Sequence, residues 1–288
     1  MNPSLHKVSI MKITAVFAAS FLLSMAVAYV LLPFFSESLV SIFAELIILL
    51  TLGLYLLHVL NKAHVPLYSI TGKLSMDLKT TVFTGFLTVV KLLLYFSFAG
   101  LLLRLAFLSP NVLNQAESLL ANSTEPAGLN LRTFFSGVLL APVMEEFIFR
   151  GIILNKWADK RSNTRALVLS SLLFGLLHIN TLIVPQFIGG LLYGLVYLKT
   201  KRLIYSIFMH MLYNALPHLL LLISVDESTE TMPLSHSMLE ELMTALNIIS
   251  LVFIVLLPLF LFTLHKYSKN LNDEQIPFTY HILNTPTL

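Results

Sequence analysis

Residues 13–32 read ITAVFAASFLLSMAVAYVLL, a run of 20 residues without a charged side chain. A helix of about 20 mostly apolar residues is long enough to cross the hydrocarbon core of a bilayer. Seven further stretches have the same character, and the eight predicted spans lie near residues 13–32, 39–60, 80–108, 131–154, 165–182, 184–198, 203–223 and 243–264. The pattern predicts an all-α, polytopic membrane protein with about eight transmembrane helices.

The composition agrees with this fold class. The 288 residues are 57% hydrophobic and 11% charged, whereas soluble domains are about 45–50% apolar and roughly 25% charged. So few charges exclude a soluble single domain and a disordered chain, and a net charge of only +3 argues against a nucleic-acid binder. The chain has no cysteine, so a metal site would have to use His, Asp, Glu or Asn side chains.

The basic residues test the span count independently. If the N-terminus is cytoplasmic, 14 of the 18 Lys and Arg residues fall in cytoplasmic segments and none falls in the opposite loops, near residues 33–38, 109–130, 183 and 224–242. This asymmetry predicts eight spans with both termini in the cytoplasm. The first apolar run continues through residue 32, beyond a sequence that resembles a signal-peptidase site, and this favours an uncleaved anchor.

One integral-membrane domain is expected, in three consecutive parts. Residues 1–130 hold the first three helices, 131–223 a core of four helices, and 224–288 an outer loop, the eighth helix and a cytoplasmic tail. The absence of cysteine and the short loops favour a bacterial cytoplasmic membrane. The lipid bilayer is one expected partner, and the oligomeric state is left open.

Ionisable side chains at membrane depth are the primary functional candidates, since they cost free energy there, at least about 2.5–3.5 kcal/mol for an Asp, Lys or Arg at a helix centre. Eight residues qualify: Glu45, Lys91, Arg104, Glu145, Glu146, Arg150, His178 and His210. Arg104 lies near a span end and can reach water. For Lys91 we expect a tilted helix or a pore-facing position rather than catalysis.

Helical spacing separates the two adjacent glutamates. Glu146 and Arg150 are four residues apart, so they share a helix face and can pair. Glu145 points elsewhere, since adjacent residues are about 100° apart around the helix. It is therefore expected to need another partner, such as a histidine, a metal ion or a polarised water.

The same spacing recurs on two later spans. Phe174 and His178 are four residues apart, as are His210 and Asn214. At about 1.5 Å per residue, His210, Glu145 and His178 lie ~12, ~16 and ~20 Å from the nearest cytoplasmic charge. This similar depth permits one cluster, although the same groups could instead only hydrogen-bond helices together.

Two related hydrolytic mechanisms suit this cluster. In one, Glu145, His178 and His210 bind a divalent metal such as zinc, which activates a water. In the other, no metal is needed: Glu145 acts with His178 as general base on a water, and His210 and Asn214 stabilise the oxyanion. Both mechanisms end in hydrolysis of an acyl bond, and a peptide is the favoured substrate.

Three sequence motifs carry a family resemblance. Residues 145–151 read EEFIFRG, residues 171–178 read SLLFGLLH and residues 210–214 read HMLYN. In this order they resemble the EExxxR, FxxxH and HxxxN motifs of the CPBP intramembrane proteases. That family includes the type II CAAX prenyl endopeptidases and the bacteriocin-immunity (Abi) proteins. The resemblance covers about residues 131–218.

This resemblance implies an intramembrane endopeptidase, often described as a metalloprotease, that acts on a membrane-associated or lipidated peptide. It implies catalytic roles for Glu145, His178, His210 and Asn214, with Glu146 and Arg150 in support. Phe174 is a supporting candidate from the second motif. The alternatives are a non-catalytic immunity or scaffold protein of the same fold, and an ion-coupled transporter. The transporter is disfavoured because the chain has no evident inverted repeat.

Overall fold

A computed structural model describes residues 4–106, 134–178, 183–224 and 236–284 of the chain. Within these ranges the chain forms helices and no β-strand. In chain order they are α1 Ile10–Leu31, α2 Glu37–Lys62, α3 Leu67–Thr71, α4 Leu78–Ala106, α5 over residues 135–158, α6 Asn163–Leu177, α7 Ile183–Thr200, α8 Leu203–Ser224, α9 His236–Tyr267 and α10 Pro277–Asn284. Two 3₁₀ turns, Leu5–Lys7 and Leu271–Asp273, precede α1 and α10.

The predicted fold class is confirmed, because the described chain is all-helical and polytopic. Within the described ranges, each of the eight predicted spans overlaps one helix of 15 residues or more. Five of these helices, α1, α2, α4, α7 and α9, are long and apolar enough to cross a membrane. The span total of eight, the cytoplasmic termini and the three-part division of the domain stay predictions. Arg132, residues 179–182, the boundary after residue 130 and most of the loops near 109–130 and 224–242 lie outside the described residues.

Helix α5 is built from alternating wide and normal turns. Its π-helical segments Phe135–Leu140 and Phe147–Leu154 flank the α-helical segment Ala141–Glu146, and Asn155–Ala158 completes it. Pro142 stands in the first turn of the middle segment, where it lacks the N–H that a regular ladder would use. Wide turns of this kind are rare and frequently mark functional sites.

Burial divides the helices into a centre and a periphery. In α7, 56% of the most apolar stretch is buried, whereas the corresponding share is 17% in α1 and α2 and 11% in α9. The peripheral helices therefore present apolar side chains outward, as expected for surfaces that face lipid. Helix α7 packs against α4, α5, α6 and α8, so the helices that carry the motifs surround it.

The ends of the core helices near the predicted cytoplasmic charges are joined by a buried amide. Asn155 of α5 donates to the Tyr197 hydroxyl at 2.9 Å, and its Oδ1 accepts from the Phe278 N–H at 3.0 Å. Tyr197 in turn donates to the Ile70 carbonyl at 2.6 Å. These bonds connect α5, α7, α3 and α10 near the predicted cytoplasmic ends of the core helices. They hold α5 and α7 together at that end.

Candidate active site

Glu146 and Arg150 form the buried ion pair that their spacing predicts. Arg150 Nη1 lies 3.0 Å from Glu146 Oε1, and the two side chains are 1% and 0% exposed. The guanidinium also donates from Nη2 to the Gly190 carbonyl at 3.3 Å, and its Cζ lies 4.4 Å from the centre of the Phe174 ring. Arg150 therefore joins α5 to α7 and α6 at the level of the motifs.

The carboxylate of Glu146 also holds His210. His210 Nδ1 lies 2.9 Å from the same Oε1 atom that contacts Arg150. An ionised carboxylate can only accept, so Nδ1 carries the proton and donates it. In the neutral imidazole, Nε2 is then an acceptor. The ring is held from the side by Tyr193, which stacks on it at 5.1 Å with an interplanar angle of 22°.

His178 is oriented by its own helix. It follows the last residue of α6 with φ −102° and ψ 38°, and its Nδ1 lies 2.7 Å from the Phe174 carbonyl. A carbonyl oxygen can only accept, so Nδ1 is again the donor and Nε2 the acceptor in the neutral ring. The ring also packs on Phe174, with the ring centres 4.4 Å apart.

The carboxylate of Glu145 lies between the two imidazoles. Its Oε2 is 3.6 Å from His178 Nε2 and 3.8 Å from His210 Nε2. This Oε2 is buried and has no hydrogen-bond donor within the described ranges. The two Nε2 atoms lie beyond hydrogen-bond distance of this oxygen, so its burial is favourable only if a proton, a water or a cation satisfies it. Glu145 therefore lies beside two histidines, and whether its partner is a histidine, a metal ion or a polarised water stays a prediction.

Asn214 lies one turn beyond His210 on α8. Its Nδ2 donates to the Gly137 carbonyl at 2.9 Å, within the first wide turn of α5. The amide therefore joins α8 to α5 on one side of the cluster, and its place in an oxyanion hole stays a prediction. Glu145, Glu146, Arg150, Phe174, His178 and His210 are all brought together.

The side chains of Glu145, His178 and His210 are of the types that bind metal ions. Zinc accepts carboxylate and imidazole ligands, and protein partners usually orient the far nitrogen of each ligating histidine, as Glu146 and the Phe174 carbonyl do here. The gaps of 3.6 and 3.8 Å exceed the about 3.3–3.4 Å expected between ligands bonded to tetrahedral zinc at about 2.0–2.1 Å. Within the described ranges no three such side chains form a metal cluster. Residues Glu145, His178 and His210 would hold an ion only if these gaps became shorter.

Lys91 lies in a different environment from the one expected. A pore-facing position is wrong, since the residue is only 1% exposed. Its Nζ donates to the Tyr193 hydroxyl at 2.9 Å and lies 3.1 Å from the centre of the Tyr213 ring. Lys91 is conspicuous in the sequence as a charge inside an apolar span, but the partnership with Tyr193 has no sequence signal, because it joins α4 to α7.

Comparisons with known proteins identify the segment that carries the site. Residues 127–216 match the family described as type II CAAX prenyl endopeptidase Rce1-like. An 83-residue segment is 34% identical to the membrane-embedded CAAX protease MroQ of Staphylococcus aureus (strain USA300), covering 26% of this chain and 34% of that relative. The match thus spans about a third of the relative, and no solved structure matches the chain. All three motifs lie within residues 127–216, and for this segment the resemblance to the CPBP-type CAAX proteases is confirmed.

Proposed function

We propose that the protein is an intramembrane endopeptidase that hydrolyses a peptide bond in a membrane-associated or lipidated substrate. The observation that carries the proposal is the convergence of Glu145 Oε2 with His178 Nε2 and His210 Nε2. The Glu145 and His178 side chains are 30% and 25% exposed, whereas His210 is 6% exposed. A substrate would therefore approach from the side of Glu145 and His178.

The proposed chemistry starts with a water between Glu145 and His178. Glu145 accepts one proton as the water oxygen attacks the peptide carbonyl carbon, and a tetrahedral oxyanion forms. The C–N bond then breaks, and the proton held by Glu145 moves to the leaving nitrogen. General-base catalysis of this kind contributes about 10²–10⁴-fold to a rate.

Stabilisation of the oxyanion is assigned to His210 and Asn214. His210 donates from Nε2 only as an imidazolium, because the Nδ1 proton is already bonded to Glu146. The ring must therefore take up a second proton from solvent before the attack, in addition to the proton that Glu145 takes from the water. Asn214 lies one turn beyond His210 on α8 and carries an amide donor of the kind that an oxyanion hole uses. Each donor of an oxyanion hole is worth about 10²–10³-fold in kcat.

A metal-dependent variant uses the same residues. Glu145, His178 and His210 would hold a divalent ion such as zinc, which would supply a more acidic water and Lewis-acid polarisation of the carbonyl. The two variants are separated by removing metal from the purified protein with a chelator. Activity that is lost and then restored by zinc supports the metal variant, and activity that survives supports the glutamate mechanism.

Substrate and location are proposed at the level that the resemblance allows. The substrate is a peptide or protein at the membrane, and the protein resides in a bacterial cytoplasmic membrane. The relative in Staphylococcus aureus, which is described as membrane-embedded, supports this location.

The test is cleavage of fluorogenic peptides by the purified protein in liposomes. The probes are a farnesylated peptide with a CAAX terminus and an unlipidated transmembrane peptide. Replacing Glu145→Gln or His178→Ala should lower kcat at least 100-fold, because either change removes a group that contacts the attacking water. Glu37→Gln, at the exposed start of α2, is the matched control and should leave kcat unchanged.

Full activity in both Glu145→Gln and His178→Ala would contradict this mechanism. If wild-type and Glu145→Ala chains complement a deletion strain equally well, the non-catalytic immunity or scaffold alternative is favoured. Solute flux into the same liposomes would support the ion-coupled transporter instead.

A further inference from the structure

Lys91 occupies a site built to hold its ammonium group. Its Nζ donates to the Tyr193 hydroxyl at 2.9 Å, and the same atom lies 3.1 Å from the Tyr213 ring centre. An ammonium over the face of a tyrosine ring is attracted by the negative face of that ring. Two aromatic side chains from α7 and α8 therefore bind a lysine from α4.

The backbone of α7 is also shaped around Lys91. A Cβ atom at Gly189 would lie 2.5 Å from Lys91 Nζ and 2.6 Å from its Cε. Any side chain at this position would displace the ammonium group, so the glycine leaves the space that the lysine fills.

Tyr193 connects Lys91 to the candidate active site. One end of the tyrosine accepts from Lys91, and its ring stacks on His210 at 5.1 Å and 22°. His210 is thus held at Nδ1 by Glu146 and on one face by Tyr193, with the Phe174 ring edge-on at 5.7 Å. The hydrogen bond from Lys91 holds the Tyr193 hydroxyl in place, and the Tyr193 ring in turn holds the imidazole of His210 that stacks on it.

The charge of the cluster is the second feature that involves Lys91. The cluster contains two carboxylates, Glu145 and Glu146, and Arg150 supplies a single positive charge for them. Unbalanced charge is costly away from water. When it is protonated, Lys91 supplies the second positive charge beside this pair.

We propose that Lys91 is a positioning residue for the proposed hydrolysis, acting through Tyr193 on the orientation of His210. This inference rests on the proposed function for its catalytic consequence. Its structural part, the control of His210 by Lys91, stands independently.

The experiment compares Lys91→Met with Lys79→Met, an exposed lysine near the start of the same helix. We expect Lys91→Met to lower kcat about 10–100-fold with KM within about twofold, as is usual when a partner that orients a site residue is lost. Tyr193→Phe keeps the ring but removes the hydroxyl, and it should give a similar loss. The double variant should lose little more than either single variant, because both changes break one contact chain.

A second readout does not depend on catalysis. In protein labelled with ¹⁵N-histidine, the ring nitrogen resonances of His210 should shift in Lys91→Met and Tyr193→Phe and stay in place in Lys79→Met. Thermal unfolding is measured for every variant. If Lys91→Met does not fold, Tyr193→Phe carries the test, since it deletes one oxygen atom.

The outcomes separate the two proposals. Unchanged His210 resonances in Lys91→Met or Tyr193→Phe overturn the role of Lys91. So does a wild-type kcat in Lys91→Met when Glu145→Gln is inactive. If wild-type protein cleaves neither probe, or Glu145→Gln cleaves as well as wild type, the proposed function fails, and the resonances of His210 still decide the role of Lys91.

Discussion

At the scale of single residues, Glu146 links the ion pair to the candidate active site. One oxygen of its carboxylate contacts both Arg150 Nη1 at 3.0 Å and His210 Nδ1 at 2.9 Å. The residue is fully buried, so each of these contacts replaces water that the carboxylate would otherwise bind. Glu146 thus acts by fixing which nitrogen of His210 carries the proton.

Glu146→Leu is predicted to destabilise the protein and to abolish activity. Removing one partner of a buried pair leaves the other uncompensated, at a cost of about 3–5 kcal/mol. The double variant Glu146→Leu, Arg150→Met should recover most of this stability, because an apolar pair of similar volume is often tolerated. Activity should stay lost, since His210 Nδ1 still lacks its acceptor. Unfolding in denaturant and peptide cleavage measure the two effects, and an active double variant would contradict the role given to Glu146.

At the scale of helices, the contact of α6 with α7 determines how close the motifs approach. A Cβ atom at Gly190 would lie 2.9 Å from both Cα and Cβ of Ser171, so α6 backbone occupies the space of a side chain. The same glycine offers its carbonyl to Arg150. A close approach of this kind is a common use of small residues in membrane helices.

Gly190→Ala should therefore lower stability and separate the motif helices. Overpacking of a tight interface costs about 1–3 kcal/mol. Gly53→Ala is the matched control, because no atom of the described residues beyond the neighbouring turns of its own helix lies within 4 Å of the added methyl group. That control should gain up to about 0.5–1 kcal/mol from helix propensity. The Tm values of Gly190→Ala and Gly53→Ala measure the two effects. Equal changes in Tm at the two glycines would refute the close-packing argument.

Asp77 begins α4 and ties it to α8. Its Oδ1 accepts from the Thr80 N–H at 2.9 Å, which caps the helix, and its Oδ2 accepts from the Tyr205 hydroxyl at 2.6 Å. Together with the nearby Arg202 charge, these hydrogen bonds lower the pKa of Asp77 from 3.8 to about 2, with the Tyr205 bond contributing most. The ionised form is therefore favoured by folding.

The stability that Asp77 contributes should depend on pH in a defined window. Because the folded pKa lies below the unfolded value, the contribution is complete above about pH 4 and is lost as the pH falls toward 2. Asn is also a good helix cap, so Asp77→Asn removes mainly the charge. The difference in Tm between wild type and Asp77→Asn should shrink between pH 4 and pH 2. A constant difference across this window would contradict the assignment.

At the scale of the whole molecule, apolar length and charge spacing were sufficient to predict the eight long helices and the Glu146–Arg150 pair, but not the short helices α3 and α10. Both depend on residues close in sequence. The contact of His210 with Glu146 and that of Lys91 with Tyr193 join different helices, so no local pattern encodes them. The wide turns of α5 were also missed, because a π-helical turn depends on how the surrounding helices accommodate it.

The predicted topology can be tested in the whole protein because the chain has no cysteine of its own. A single introduced cysteine is then the only target for a membrane-impermeant maleimide. Suitable positions are Ser36 between α1 and α2, Lys160 between α5 and α6, and Lys269 after α9. Three predicted spans separate Ser36 from Lys160, and four separate Lys160 from Lys269.

An odd number of crossings places two positions on opposite sides, and an even number places them on the same side. Ser36→Cys should therefore be labelled in intact cells, and Lys160→Cys and Lys269→Cys only after permeabilisation. The positive charges around the last two positions favour the cytoplasmic side. Labelling of Lys160→Cys from outside would mean that α5, with its buried Glu146–Arg150 pair, does not cross the membrane as predicted, or that the whole orientation is reversed. The Ser36→Cys result distinguishes the two, since only a reversed orientation places Ser36 inside and protects it from the reagent in intact cells.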